Sequence, residues 1–125
     1  MPAREEKLAA QASPIFEATD RWGEKIVLTV EDWARITAKR PDVAGHENDV
    51  LRTIESPSIV YEGRYANSKA FYKKGLLAND PLHWDCYVAT IIRYPQDGDP
   101  PSIRTVYFPS HIQGAALGTL LFMER

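Results

Sequence analysis

The longest strand-like run in the chain covers residues 83–94, where apolar side chains occupy both alternating sets of positions. A strand with two apolar faces is typical of the interior of a sheet, with a neighbouring strand on each side. A second run, residues 102–108, follows a turn that contains Asp97 and Gly98. Because Asp-Gly favours a tight turn between antiparallel strands, the two runs are predicted to form a hairpin.

Helical periodicity begins at Thr29. Thr29 and Asp32 have the spacing of a capping box, in which the side chain of the first residue accepts from a backbone amide three positions later. This predicts a helix over residues 30–39, which ends before a proline because proline disfavours helical geometry in its predecessor. Trp33 and Ile36 would form its apolar stripe.

A second helix is predicted over residues 43–55, with Asp42 as its N-cap. Shorter strand candidates lie at residues 25–28, 58–62 and 69–74. Two amphipathic helices cannot bury their stripes alone and need a sheet to pack on. The predicted fold is therefore α+β, with N-terminal helices packed on a four-stranded antiparallel β-meander.

The chain length of 125 residues suits one domain. Residues 1–24 are predicted to form an N-terminal arm and residues 25–109 the folded domain. The apolar tail, residues 110–125, is ambiguous between a helix and an extra edge strand. It is interpreted either as part of the same domain or as an oligomer contact, for example in a homodimer.

Composition narrows the class of protein. The net charge of −2 gives no general attraction to nucleic acid, so any site for a polyanion has to be a local patch. Cys86 is the single cysteine, which excludes an intrachain disulfide and favours a core position for this thiol. The N-terminus lacks the apolar region of a signal peptide, and no run is long enough for a membrane span. We therefore expect a cytoplasmic protein without a membrane partner.

Metal and cofactor chemistry finds little support in the sequence. His46, His83 and His111 are far apart and have no metal-ligand spacing. The chain also contains no glycine-rich phosphate loop. Neither a metal nor a cofactor is predicted.

One segment, residues 63–75, combines cations with aromatic residues. It contains Arg64, Lys69, Lys73 and Lys74, no acidic residue, and three aromatic side chains between them. Cations bind phosphate, and aromatic rings can stack on unpaired bases. The alternative is an exposed edge strand whose lysines prevent aggregation.

Several of these features recur in a recognisable order along residues 25–109. The residues that carry this order are Leu28, Thr29, Trp33, Ile36, Pro41, Asp42, Ile54, Pro57, Arg64, Tyr72, Lys73, Thr105 and Tyr107. The order resembles the phage-associated branch of the barnase–EndoU–colicin–RelE (BECR) nuclease superfamily. The resemblance implies helices on a four-stranded antiparallel sheet and, in active members, cleavage of RNA without a metal.

Such cleavage needs a base for the ribose 2′-OH, cations for the phosphate and an acid for the leaving oxygen. By resemblance, Arg64 and Lys73 would hold phosphate, and Thr105 would donate a hydrogen bond to a phosphate oxygen. Tyr72 or Tyr107 would act as the acid or base, or would stack on a base.

The chain departs from the family at Arg40, where many relatives have histidine. Arginine stays protonated near neutral pH and cannot act as a base, but it can hold phosphate. Arg40, Lys69, Lys74 and His111 are accordingly predicted to bind substrate, and His111 is also a candidate base.

The predicted function is that of a metal-independent endoribonuclease, of the toxin type and with a possible inhibitor protein. The alternative is an inactive relative that binds nucleic acid or protein. A third hypothesis is a small accessory protein that dimerises through its apolar tail.

Overall fold

The structure, a computed structural model, describes residues 14–112 and 118–124. It is an α+β fold with a two-stranded sheet, two helices and a five-stranded antiparallel sheet. The strands are β1 Pro14–Thr19, β2 Lys25–Thr29, β3 Ile59–Glu62, β4 Ser68–Lys74, β5 Tyr87–Arg93, β6 Ser102–Tyr107 and β7 Leu120–Met123, and the helices are α1 Val30–Lys39 and α2 Glu47–Glu55.

The larger sheet has the strand order β6-β5-β4-β3-β7. It contains five strands and not the predicted four, because residues 120–123 of the apolar tail pair with β3 as an edge strand. Tail residues 113–117 lie outside the described residues, and an oligomer contact through the tail stays a prediction. The predicted strand over residues 83–94 is shorter, Tyr87–Arg93, but it does have a neighbour on each side, and it pairs with β6 as predicted.

Residues 14–24, which the sequence assigns to an arm, form β1 and the turn into β2, and Ala18 of β1 is buried in the core. Asp20 organises this turn by accepting from the backbone amides of Trp22 and Glu24, each at 2.9 Å. The Asp20 carboxylate also accepts from the Tyr94 hydroxyl at 2.8 Å, which ties the turn to the end of β5. Residues 1–13 of the predicted arm lie outside the described residues.

Helix α1 has the predicted bounds. Thr29 Oγ1 accepts from the amide of Asp32 at 3.1 Å, and Trp33 and Ile36 form the buried stripe. Capping and the stripe are both local properties of the sequence, so this helix could be predicted closely.

Helix α2 is shorter than predicted. Residues 41–43 form a 3-10 turn, and Gly45 has a left-handed φ of 87°, which interrupts helical geometry. The helix therefore begins at Glu47, its N-cap position is occupied by His46, and Asp42 does not cap it.

The main core is formed by the two helices, the two-stranded sheet and one face of the five-stranded sheet. Its buried members are Ala18, Ile26, Leu28, Trp33, Ile36, Val43, Val50, Ile54, Val60, Phe71, Leu77, Cys86, Val88, Ile92, Ile103 and Val106. Cys86 is thus a core residue, as predicted, and burial raises the pKa of its thiol. No helix among the described residues is both long and apolar enough to cross a membrane.

Candidate functional site

The face of the five-stranded sheet that points away from the helices is rich in tyrosine. We call it the tyrosine face, and it carries Tyr61, Tyr72, Tyr87 and Tyr107. These rings surround Ala70 and Ala89, whose small side chains are completely buried. Strand alternation explains the arrangement, because every second residue of β3 to β6 points to this side.

Tyr72 and Tyr107 lie on either side of Ala89, since both pair with it in the sheet register. Tyr72 is only 1% exposed and meets the ring of Tyr87 edge-on, with the centroids 6.2 Å apart. Burial strongly raises the pKa of Tyr72, and the neighbouring Tyr107 side chain adds to this effect. Tyr72 therefore stays protonated near neutral pH, where it can donate a hydrogen bond but cannot serve as a base.

Beside the tyrosine face, a pocket of about 250 Å³ lies where α1, β6 and the β3–β4 loop meet. We call it the cationic pocket, and it is lined by Arg35, Lys39, Gly63, Arg64, Tyr65, Ile91, Arg104 and Thr105. Four of these side chains are cationic, and no described lining residue is acidic. In a protein with a net charge of −2, this concentrates positive potential at one place.

The two pocket arginines from α1 and β6 are held by the edge of the sheet. Arg35 donates to the carbonyl oxygens of Ile103 and Arg104, each at 3.1 Å, and also lies 3.7 Å from a carboxylate oxygen of Asp32. Arg104 lies at a β-bulge. Thr105 and Ile103 pair with two consecutive residues of β5, which leaves Arg104 between them without a partner in the register. A bulge redirects a side chain, which brings Arg104 to the pocket.

Arg64 and Tyr65 reach the pocket from a tight loop, residues 63–67. Gly63 N donates to Ser68 O at 2.8 Å, and Ser68 Oγ donates to Tyr65 O at 2.6 Å. A Cβ at Gly63 would collide with Ser68 Oγ, so this position has no room for a side chain. The loop is therefore closed on itself, and it presents Tyr65 with 69% of its surface exposed.

Several predicted site residues come together here. Arg64 and Thr105 share the cationic pocket, and Tyr72 and Tyr107 share the tyrosine face. The guanidinium of Arg40 lies 5.7 Å from the centroid of the Tyr107 ring, which places it at the border of the same surface. Lys74 lies two residues after Tyr72 in β4, so its side chain points to the tyrosine face, and it is exposed.

The other predicted site residues lie elsewhere. Lys73 points to the helix side of β4, and its Nζ is 3.8 Å from Glu124. Lys69 also points to that side, with its Nζ 3.9 Å from the ring centroid of Trp22 and 4.4 Å from that of Tyr94. His111 is exposed beyond the end of β6. Lys73 therefore lies on the opposite side of β4 from Tyr72, and its role in holding phosphate stays a prediction.

The sequence interpretation missed Arg35, Lys39 and Arg104. Arg35 and Lys39 are four residues apart on the exposed side of α1, a spacing that predicts a shared helix face. Nothing local in the sequence indicates that this helix face lies beside β6. A neighbouring pocket of about 230 Å³ adds Arg93 to the same cationic region, next to Arg104 and Tyr65.

Within residues 14–112 and 118–124, no group of three or more histidine, cysteine or acidic side chains could hold a metal ion. Comparison with protein-family models, with curated proteins and with solved structures gives no match.

Proposed function

We propose that this chain is an RNA-binding domain, and that single-stranded RNA lies across the tyrosine face with a backbone phosphate in the cationic pocket. The observation that carries this proposal is the convergence of four cations in one pocket whose described lining contains no acidic residue: Arg35, Lys39, Arg64 and Arg104. Such a group of cations attracts phosphate strongly, and a guanidinium group binds phosphate with two parallel hydrogen bonds.

The aromatic residues favour a single strand over a duplex. Tyr65 is exposed beside the pocket, and Tyr107 is only partly buried under Arg40. Rings at the surface can stack on unpaired bases, which a duplex keeps inside its own stack.

Metal-independent endoribonuclease activity, of the kind the BECR resemblance implies, is the second candidate for the same surface. Arg64 and Thr105 share the pocket that would hold the scissile phosphate, and Tyr107, which is less buried than its neighbour Tyr72, would supply an acid. Among the described residues that line the pocket, none offers a carboxylate or an imidazole as a base, so the base would have to come from elsewhere, such as His111. An inactive relative that binds RNA without cleaving it would use the same contacts. In a toxin-type protein, an acidic inhibitor would complement this pocket.

Fluorescence anisotropy with a labelled single-stranded RNA tests binding. We expect Arg64→Ala and Arg104→Ala each to weaken affinity about tenfold, the loss of one charge-assisted contact. Arg52→Ala removes an exposed arginine of α2 that lines none of these pockets and serves as the matched control. Equal affinity in all four proteins would contradict the proposal.

Incubation of the same proteins with RNA in the presence of EDTA separates the two candidates. Cleavage by the parent chain that is lost in Arg64→Ala and in a further variant, Tyr107→Phe, would favour the ribonuclease. Tight binding without cleavage would favour the binding domain.

A further inference from the structure

A larger cavity of about 620 Å³ lies on the other side of the loop formed by residues 63–67. We call it the base cleft, and its lining includes Glu62, Tyr65, Asn67, Lys69, Tyr94 and Gln96. Arg64 and Tyr65 line both the base cleft and the cationic pocket, so the loop is the wall between them. The volume falls within the range of small-molecule sites, about 300–1,000 Å³.

The walls of the base cleft are fixed by contacts that do not involve a ligand. The Tyr94 hydroxyl is engaged with Asp20, which leaves the tyrosine ring as a rigid side wall. The Lys69 ammonium lies over the rings of Trp22 and Tyr94 and so keeps a defined position. Asn67 holds the loop in a left-handed turn with a φ of 59°, and its carbonyl accepts from Tyr94 N at 2.6 Å.

The polar groups of the base cleft have complementary roles. The Glu62 carboxylate only accepts hydrogen bonds, the Lys69 ammonium only donates them, and the amides of Asn67 and Gln96 do both. Guanine presents its ring N–H beside an amino group and can donate twice to the Glu62 carboxylate, whereas uracil donates its ring N–H and accepts at its carbonyl oxygens from the donors of the base cleft. Adenine and cytosine can donate to the carboxylate only from their exocyclic amino group, and their unprotonated ring nitrogen would face the second carboxylate oxygen without a hydrogen bond.

We infer that the base cleft accepts one unpaired base of the bound strand and prefers guanine or uracil over adenine or cytosine. The inference rests on the proposed RNA binding, because it assumes that the neighbouring phosphate lies in the cationic pocket. The shared wall of Arg64 and Tyr65 supports this coupling, since a strand that crosses the loop would meet one cavity after the other.

Labelled RNAs of seven adenosines, with the central position replaced in turn by guanosine, uridine or cytidine, test the preference. We expect the guanosine and uridine strands to bind at least about fivefold more tightly than the other two, the lower end of discrimination by one hydrogen-bonded base edge. Glu62→Gln keeps the size of the side chain but adds donors, so it should abolish the preference. Arg104→Ala should weaken all four strands by the same factor and leave the preference intact.

Glu55→Gln, at the exposed end of α2, is the matched control and should bind like the parent chain. Equal affinity for the four strands would overturn the inferred base preference of the cleft while leaving the proposed RNA binding in place. A preference that survives in Glu62→Gln would also overturn it, because recognition would then not depend on the carboxylate. Binding to none of the strands would remove the proposed function and this inference together.

Discussion

Replacement of Tyr94 by phenylalanine removes one hydroxyl group and keeps the ring that lines the base cleft. The hydroxyl donates to a carboxylate oxygen of Asp20 at 2.8 Å, and Asp20 is only 4% exposed. A hydrogen bond to a charged group contributes about 1.5–3 kcal/mol, and a buried carboxylate that loses a donor is not rescued by water. We therefore expect Tyr94→Phe to lower the free energy of unfolding by about 2 kcal/mol near neutral pH.

This difference should shrink at alkaline pH. Burial raises the pKa of Tyr94, and the hydrogen bond to Asp20 raises it further. The unfolded chain releases the tyrosine proton near its ordinary pKa of about 10, whereas the folded chain retains it. The stability that the parent chain gains from the protonated Tyr94 is thus complete below about pH 10. Above that pH the free energy of unfolding declines by about 1.4 kcal/mol per pH unit for one proton. Phenylalanine has no such proton, so the two stability curves should converge at that rate.

Urea unfolding followed by tryptophan fluorescence, at intervals from pH 7 to pH 11, measures both effects. Tyr65→Phe, at a ring that is 69% exposed, is the matched control and should follow the parent curve. Parallel curves for the parent chain and Tyr94→Phe above pH 10 would refute the raised pKa of Tyr94. Equal stability at pH 7 would refute the contribution of the contact with Asp20.

Two further predictions concern the loop and the cationic pocket. Gly63→Ala places a Cβ against Ser68 Oγ, so we expect the free energy of unfolding, measured in urea, to fall by about 1–3 kcal/mol. RNA binding should also weaken as the loop shifts, and unchanged stability and affinity would show that the loop adapts freely. With four pocket cations, the slope of log affinity against log salt should be about −2.8, or about a fiftyfold loss between 50 and 200 mM salt. Arg104→Ala should reduce the steepness by about 0.7, and a slope that does not change would exclude Arg104 from phosphate contact.

The parts of the fold that the sequence predicts well are those set by neighbouring residues. The bounds of α1 follow from the Thr29 cap and a stripe of large apolar side chains. The start of α2 was wrong because Gly45 adopts a left-handed conformation after a 3-10 turn, which hydrophobic periodicity does not reveal. The edge strand β7 depends on pairing with β3, about sixty residues earlier, and apolar content alone leaves helix and strand undecided.

The site was harder to predict than the fold, because its cations come from three separate elements. Arg35 donates a hydrogen bond to the carbonyl oxygen of Arg104, which lies 69 residues later in the chain. No local sequence pattern indicates that the two residues are close in space. One error was avoidable. Adjacent strand residues point to opposite faces, so Tyr72 and Lys73 could not both face the same ligand from the middle of β4.

Arg35 connects the stability of the sheet edge to the charge of the pocket. Its guanidinium donates to two carbonyls of β6, a strand that has no partner on its outer side among the described residues. Those contacts use two of the five N–H donors of arginine and fix the plane of the group. The remaining donors are therefore held in place before any phosphate arrives, which lowers the entropy cost of binding. Truncation of Arg35 would therefore lower both the stability of the sheet edge and the affinity for phosphate. Truncation of Arg64 or Arg104 tests the affinity more selectively.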